Sequence, residues 1–200
     1  MSDALERLLH QQVARFTERR GDWDAFADAR VEGFRRAQHR FIGSGASGKS
    51  DASVIPAQHF TLSVMFVPPG QGNAAHTHEV EEVFFILEGK VLVFIEDGAG
   101  GRAETVLGPW DCVSCPANVI HGFQNVGLEP AYLQVMLGKA KPDLMRIPTY
   151  VTDELERDGY TVWRNPNTFD VASVHGIEVR PDGSLHGGAD PGHDGMAMAV

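Results

Sequence analysis

His76 and His78 flank a single threonine, and Glu82 follows His78 by four positions. In an extended chain, residues two apart project to the same face with Cα atoms roughly 6.5 Å apart, so two imidazoles can converge on one ion. Glu82 shares their parity and can join them from the next strand if the chain reverses tightly around residues 79–80. Glu79 and Glu81 have the opposite parity and read as a solvated acidic edge. Imidazole with carboxylate suits iron, manganese, zinc, nickel or copper, and is a poor fit to an all-oxygen calcium cage. His10, His39, His59, His175, His186 and His193 have no such neighbours and read as surface or strand-end residues.

Two other patterns invite chemistry and yield to plainer readings. Gly43 to Ser50 satisfies the letter of a Walker A phosphate loop. A working loop leaves a buried strand and opens a helix whose amides cradle phosphate. Here a helix-like stripe precedes the loop and Pro56 soon breaks the chain after it, so residues 43–53 read as a Gly/Ser linker and no nucleotide is expected. Cys112 and Cys115 have redox spacing, but residues three apart in a strand face opposite ways, so the two thiols should not meet. They read as small hydrophobes, and two cysteines make no disulfide framework.

The elements that must position these residues emerge from periodicity. Leu5, Leu8, Leu9, Val13 and Phe16 recur at helical spacing, and Trp23, Phe26, Ala27, Phe34, Ala37 and Phe41 continue as a second helical stripe after Gly21-Asp22. Residues 1–42 are therefore expected to form an N-terminal helical arm that docks on the rest of the protein or on a neighbour. From Phe60 the period becomes two, and strand-like runs come next at Val83–Leu87, Val91–Ile95, Cys112–Cys115 and Tyr132–Leu137. Many short strands separated by Gly/Pro turns imply an all-β sandwich or barrel over residues 54–138. Residues 139–200 form an extension in which Asp153–Arg157 suits a helical turn and the Gly-rich end reads as a mobile tail.

Composition narrows the partners. The chain has 200 residues, 17 Lys and Arg against 27 Asp and Glu, and a formal charge of −10, which gives no footprint for phosphate backbones or anionic membranes. The excess is uneven, since residues 1–50 carry +2 and the remainder −12. No apolar run approaches the ~18 residues of a membrane span, and the first residues lack the apolar core of a secretory signal. A cytoplasmic protein without nucleic-acid or membrane partners is expected.

Gly70, five residues, His76-Thr77-His78, three residues, Glu82, six residues and Gly89 together resemble the first motif of the cupin superfamily. Pro116-Ala-Asn118-Val-Ile-His121-Gly-Phe-Gln-Asn125 resembles its second motif, with two departures. Trp110 stands where a glycine usually precedes the aspartate, and Asn118 replaces the glycine after the proline. Asn tolerates the left-handed conformation better than most residues, whereas Trp110 is harder to place.

The resemblance implies a mainly β, antiparallel jelly-roll barrel holding one divalent transition metal ion on His76, His78, Glu82 and His121. Iron comes first, with manganese, zinc or nickel as alternatives. Glu82 would serve as ligand, as proton acceptor, or both. Phe123, Gln134 and Met136 are expected to line the space for a small-molecule substrate. The implied activity is an Fe(II)-type dioxygenase, with a non-redox isomerase, cyclase or lyase, or a binding protein without catalysis, as alternatives. A homodimer is also implied.

Overall fold

The computed structural model describes residues 3–43, 53–139, 147–162, 177–179 and 185–187. Eight strands form two antiparallel sheets. The larger comprises β1 (Ala37–Ile42), β2 (Thr61–Val67), β8 (Ala131–Leu137), β3 (Glu82–Glu88) and β6 (Cys112–Cys115), in that spatial order. The smaller comprises β5 (Arg102–Leu107), β4 (Val91–Glu96) and β7 (Ile120–Asn125). A separate pair joins β9 (Ile177–Val179) to β10 (Leu185–Gly187). This mainly β, antiparallel arrangement agrees with the expected jelly roll.

Alternation builds the core. Val91 and Val93 point inward from the small sheet, and Met65, Val67, Phe84, Ile86, Leu133 and Val135 point inward from the large one. Phe123 from β7 and Cys115 from β6 complete the same cluster. Each such side chain contributes roughly 1.5–3 kcal/mol by leaving water. A second cluster covers the outer face of the small sheet. There α2 (Thr149–Arg157) sets Val151 and Leu155 against Phe94 and Ala74, with Ile147 and Val162 flanking. The helical turn expected near 153–157 is therefore a nine-residue helix with a defined place on the sheet.

Helix α1 (Asp3–Gln11) forms as expected, and none of its residues is buried. The expected second helix does not form. Residues 27–30 make a short 3-10 turn, Gly33 takes φ +87°, and Ala37–Ile42 is a strand. Left-handed glycine interrupts the helical ladder. The β2 edge then offers Ala37–Ile42 a pairing partner, from Ala37 opposite Phe66 to Ile42 opposite Leu62, with a bulge between Arg40 and Ile42. Tertiary hydrogen bonding outweighs the helical spacing of the aromatic residues. Trp23 and Phe26 still pack, Trp23 edge-on to Phe66 at 5.8 Å and Phe26 beneath the Arg36 guanidinium at 4.4 Å. Residues 37–42 thus belong to the larger sheet, which begins ahead of the linker. The linker's residues 44–52, with most of the Walker-like motif, lie outside the described residues, as does most of the tail.

β5 and β7 are strands that periodicity did not single out. Trp110 and Asn118 are the two non-glycine residues with positive φ among those described, at +74° and +64°. Both departures from the motif's glycines keep the backbone that glycine would have taken. Trp110 does so in the open, 77 % exposed, with an edge contact to Phe85.

Candidate metal centre

The four residues of interest come from both sheets. The stretch 72–76 runs beside β7, with single bridges pairing Gly72 with Gln124 and His76 with His121. The His76 and His121 backbones exchange two hydrogen bonds, at 3.0 and 2.8 Å. The chain bends at residues 79–80 and enters β3 at Glu82 in the opposite sheet. The tight reversal expected there is what brings Glu82 back over the histidines. Gly72 makes the approach possible, because a Cβ there would lie 2.2 Å from the Phe123 carbonyl oxygen.

All four side chains are buried, at 0–5 % exposure, and one donor atom from each lies within 4.8 Å of the others. The Glu82 Oε2 stands 2.7 Å from His121 Nε2, 3.3 Å from His76 Nε2 and 3.5 Å from His78 Nε2. Donors bound at ~2.1 Å to a single ion stand roughly 3–4 Å from one another, so this spacing fits one transition metal. The tautomers also fit. His121 Nδ1 donates to the Val119 carbonyl at 2.8 Å and His76 Nδ1 to the Ala74 carbonyl at 2.9 Å. Each bond leaves the Nε2 lone pair facing inward, as a ligating imidazole requires. In the metal-free cluster with its histidines protonated, burial would raise the Glu82 carboxyl, but the His78 charge and hydrogen bonds from His121 and His76 outweigh it and hold it well below the usual carboxylate range.

Asn73 is a supporting residue without a sequence signal. Its Oδ1 accepts from the Phe123 backbone N–H at 2.7 Å, and its amide nitrogen lies 3.2 Å from His76 Nδ1. Asp28 is another. Its carboxylate takes a two-pronged bond from Arg36, at 2.9 and 3.0 Å, and accepts from the Ala74 N–H at 3.0 Å. Nothing in the spacing of Asp28, Arg36 and Ala74 shows that they meet.

A cavity of about 30 Å³ opens beside the cluster, bounded by His76, His78 and Glu82, with Phe84 and Phe123 on one side and Val135 and Leu137 on another. Phe123 lines this cavity. Gln134 and Met136 do not, because β8 turns Leu133, Val135 and Leu137 inward and leaves Gln134 and Met136 half-buried on the other face. A one-residue change of parity exchanges the two faces of a strand, and apolar residues on both faces of β8 hid which was which. Cys115 is buried and Cys112 exposed, on opposite faces as expected. Burial, followed by the Glu82 charge and then Cys112, pushes the Cys115 thiol up to about 12.

Two antiparallel sheets with three histidines and a glutamate converging between them define a jelly-roll-type β protein with a candidate metal site. Residues 63–137 match the Cupin domain family, which places this segment in the cupin superfamily. No curated protein matches the chain. Among solved structures, the polyketide cyclase RemF from Streptomyces resistomycificus is similar at 18 % identity and TM-score 0.50, over 68 % of this chain and 83 % of that one. The DMSP lyase DddQ from Ruegeria pomeroyi is similar at 22 % identity and TM-score 0.50, over 66 % of this chain and 61 % of the lyase. An oxalate decarboxylase from Lactobacillus farciminis matches at 18 % identity and TM-score 0.48, over 64 % of this chain, which spans a third of the decarboxylase (33 %). At these identities the likeness concerns the fold.

Proposed function

We propose that the protein is a metal-dependent cupin enzyme acting on a small organic substrate, with Fe(II)-type dioxygenase chemistry as the leading class. One observation carries the metal reading: four buried donor atoms, three imidazole and one carboxylate, within 4.8 Å of one another. His76, His78, Glu82 and His121 would hold the ion, which would supply either electron transfer to O₂ or Lewis-acid polarisation of a carbonyl, according to its redox activity.

The chain's own residues would hold and orient. The Ala74 and Val119 carbonyls fix the His76 and His121 rings. Phe84 and Phe123, edge-to-face at 5.2 Å, supply a dry wall beside the reacting atoms. Glu82 Oε2 faces the Nε2 atoms of all three histidines, at 2.7, 3.3 and 3.5 Å, which suits its role as a ligand. A cytoplasmic homodimer remains part of the proposal. Among the described residues no helix is long and apolar enough to cross a membrane.

A second reading, non-redox cyclase or lyase chemistry, draws support from the fold shared with the polyketide cyclase and the DMSP lyase. The deciding experiment is elemental analysis of protein purified without chelators, beside the variant His76→Ala/His121→Ala. About one ion per wild-type chain and almost none in a folded variant is the expected result. Iron or manganese, with O₂ uptake on a catechol, diketone or hydroxy-aromatic acid, would separate the first reading from the second. Wild-type protein that takes up no ion on reconstitution, or a variant with full stoichiometry, would refute the metal site.

A further inference from the structure

The N-terminal arm leaves the sheets from a fixed point. The Phe16 ring lies 5.0 Å from that of His39 and 6.1 Å from that of Tyr132, and Arg19 donates to the Ser53 carbonyl at 2.6 Å. From Asp3 to Phe16 no residue is buried. Leu5, Leu8 and Leu9 on α1 are 53–63 % exposed, and Val13 and Phe16 continue the apolar surface at 40 and 48 %.

The helix divides cleanly. At 3.6 residues per turn, Leu5, Leu8 and Leu9 share one face, and Asp3, Glu6, Arg7 and His10 share the opposite one. Nine residues make too short a helix to hold itself in water, where even ~12–15 are marginal, so its apolar face needs support from packing. Among the described residues nothing covers that face.

Charge and area select the occupant. α1 carries one arginine and no lysine against two carboxylates, so it lacks the basic polar face with which interfacial helices bind anionic lipid. The net charge of −10 opposes the same contact. Together the five exposed apolar residues present on the order of 500 Å² per chain, the scale of the largest patch on a typical monomer. Two copies brought face to face would cover about 1,000 Å², the area at which a contact becomes a specific interface. The stripe is uncharged, so it meets its own image without repulsion, as a two-fold contact requires.

We propose that a second copy of this chain covers the arm, with the two α1 helices packed antiparallel about a two-fold axis near Leu8. Leu8 then faces its own copy, and Leu5 of one protomer lies close to Leu9 of the other. This inference rests on the homodimer of the proposed function and gives it a surface. The metal site stands apart from it, because α1 contributes no residue to the cluster.

The test is light scattering on full-length wild type and on Leu5→Glu/Leu9→Glu across a dilution series. Wild type should show twice the chain mass, and the variant should halve it while still melting cooperatively. In a Cys112→Ser background, Leu8→Cys should form a covalent dimer under mild oxidation, and Arg7→Cys, on the opposite face, should not. A wild type of single-chain mass overturns both the homodimer and this surface, and leaves the arm to another segment of its own chain or to a different protein. A dimer that survives both glutamates overturns this surface alone. So does cross-linking that is equal at Leu8→Cys and Arg7→Cys. If the glutamates unfold the chain, the cysteine pair decides. The metal-to-chain ratio of the same samples decides the metal reading independently.

Discussion

Replacing Asp28 by alanine should damage both the barrel and the metal site, although residue 28 lies far from the ligands in sequence. Asp28 and Arg36 have side chains only 2–3 % exposed and are joined by two hydrogen bonds of 2.9 and 3.0 Å. Removing one partner of such a pair strands the other's charge, which costs ~3–5 kcal/mol. The same carboxylate satisfies the Ala74 N–H at 3.0 Å, and an orphaned buried donor adds ~1–3 kcal/mol. These contributions share atoms and do not add fully, so a net loss of about 4 kcal/mol is expected. With a urea slope of ~2 kcal/mol per molar, the unfolding midpoint should fall by about 2 M. The double variant Asp28→Leu/Arg36→Met removes both charges and should recover most of the loss. Because Ala74 also accepts the His76 Nδ1 proton, the single variant should bind metal ~10–100-fold more weakly while still folded. Urea titration of metal-free protein and cobalt titration of the holo form measure the two effects. A single-variant loss below about 1 kcal/mol, or a double variant as unstable as the single, would refute the reasoning.

Metal affinity should drop steeply between pH 7.5 and 5.5, by tenfold or more, because an imidazole must be neutral to ligate and protons compete with the metal for it. Glu82 is held low, so the stability that its ionisation contributes persists above the usual carboxylate range and is lost only below it. Cobalt affinity measured at both pH values checks this, and a flat profile would contradict it. Trp110→Gly relieves a left-handed backbone worth ~1–2 kcal/mol while giving up a mostly exposed ring, so the melting temperature should rise by about 2–4 °C per kcal/mol gained. A fall would mean that the Phe85 contact outweighs the strain. A thiol reagent at pH 8 should label native protein once, at exposed Cys112, because a thiol near 12 is only about 10⁻⁴ ionised there. Two labels per native chain would show that Cys115 is open to solvent.

Sequence alone carried the four candidate ligands and the class of fold. His76, His78 and Glu82 share a parity, and that fact survives any detail of packing because strand geometry is local. His121 came through a motif whose spacing belongs to the same fold. The positive φ at Asn118 was also legible, since side-chain chemistry sets that tolerance. The tertiary structure decided what local rules could not. Ala37–Ile42 became a strand because the β2 edge was available to pair with it, and no periodicity within residues 22–41 encodes a neighbour that lies some twenty residues downstream. The inward face of β8 was settled by register against β2 and β3, which put Val135 and Leu137, rather than Gln134 and Met136, beside the histidine–glutamate cluster. Asp28, Arg36 and Asn73 acquired their roles in the same way. Their partners are brought close by chain folding, and a hydrogen bond depends on distance in space, which spacing along the chain does not fix.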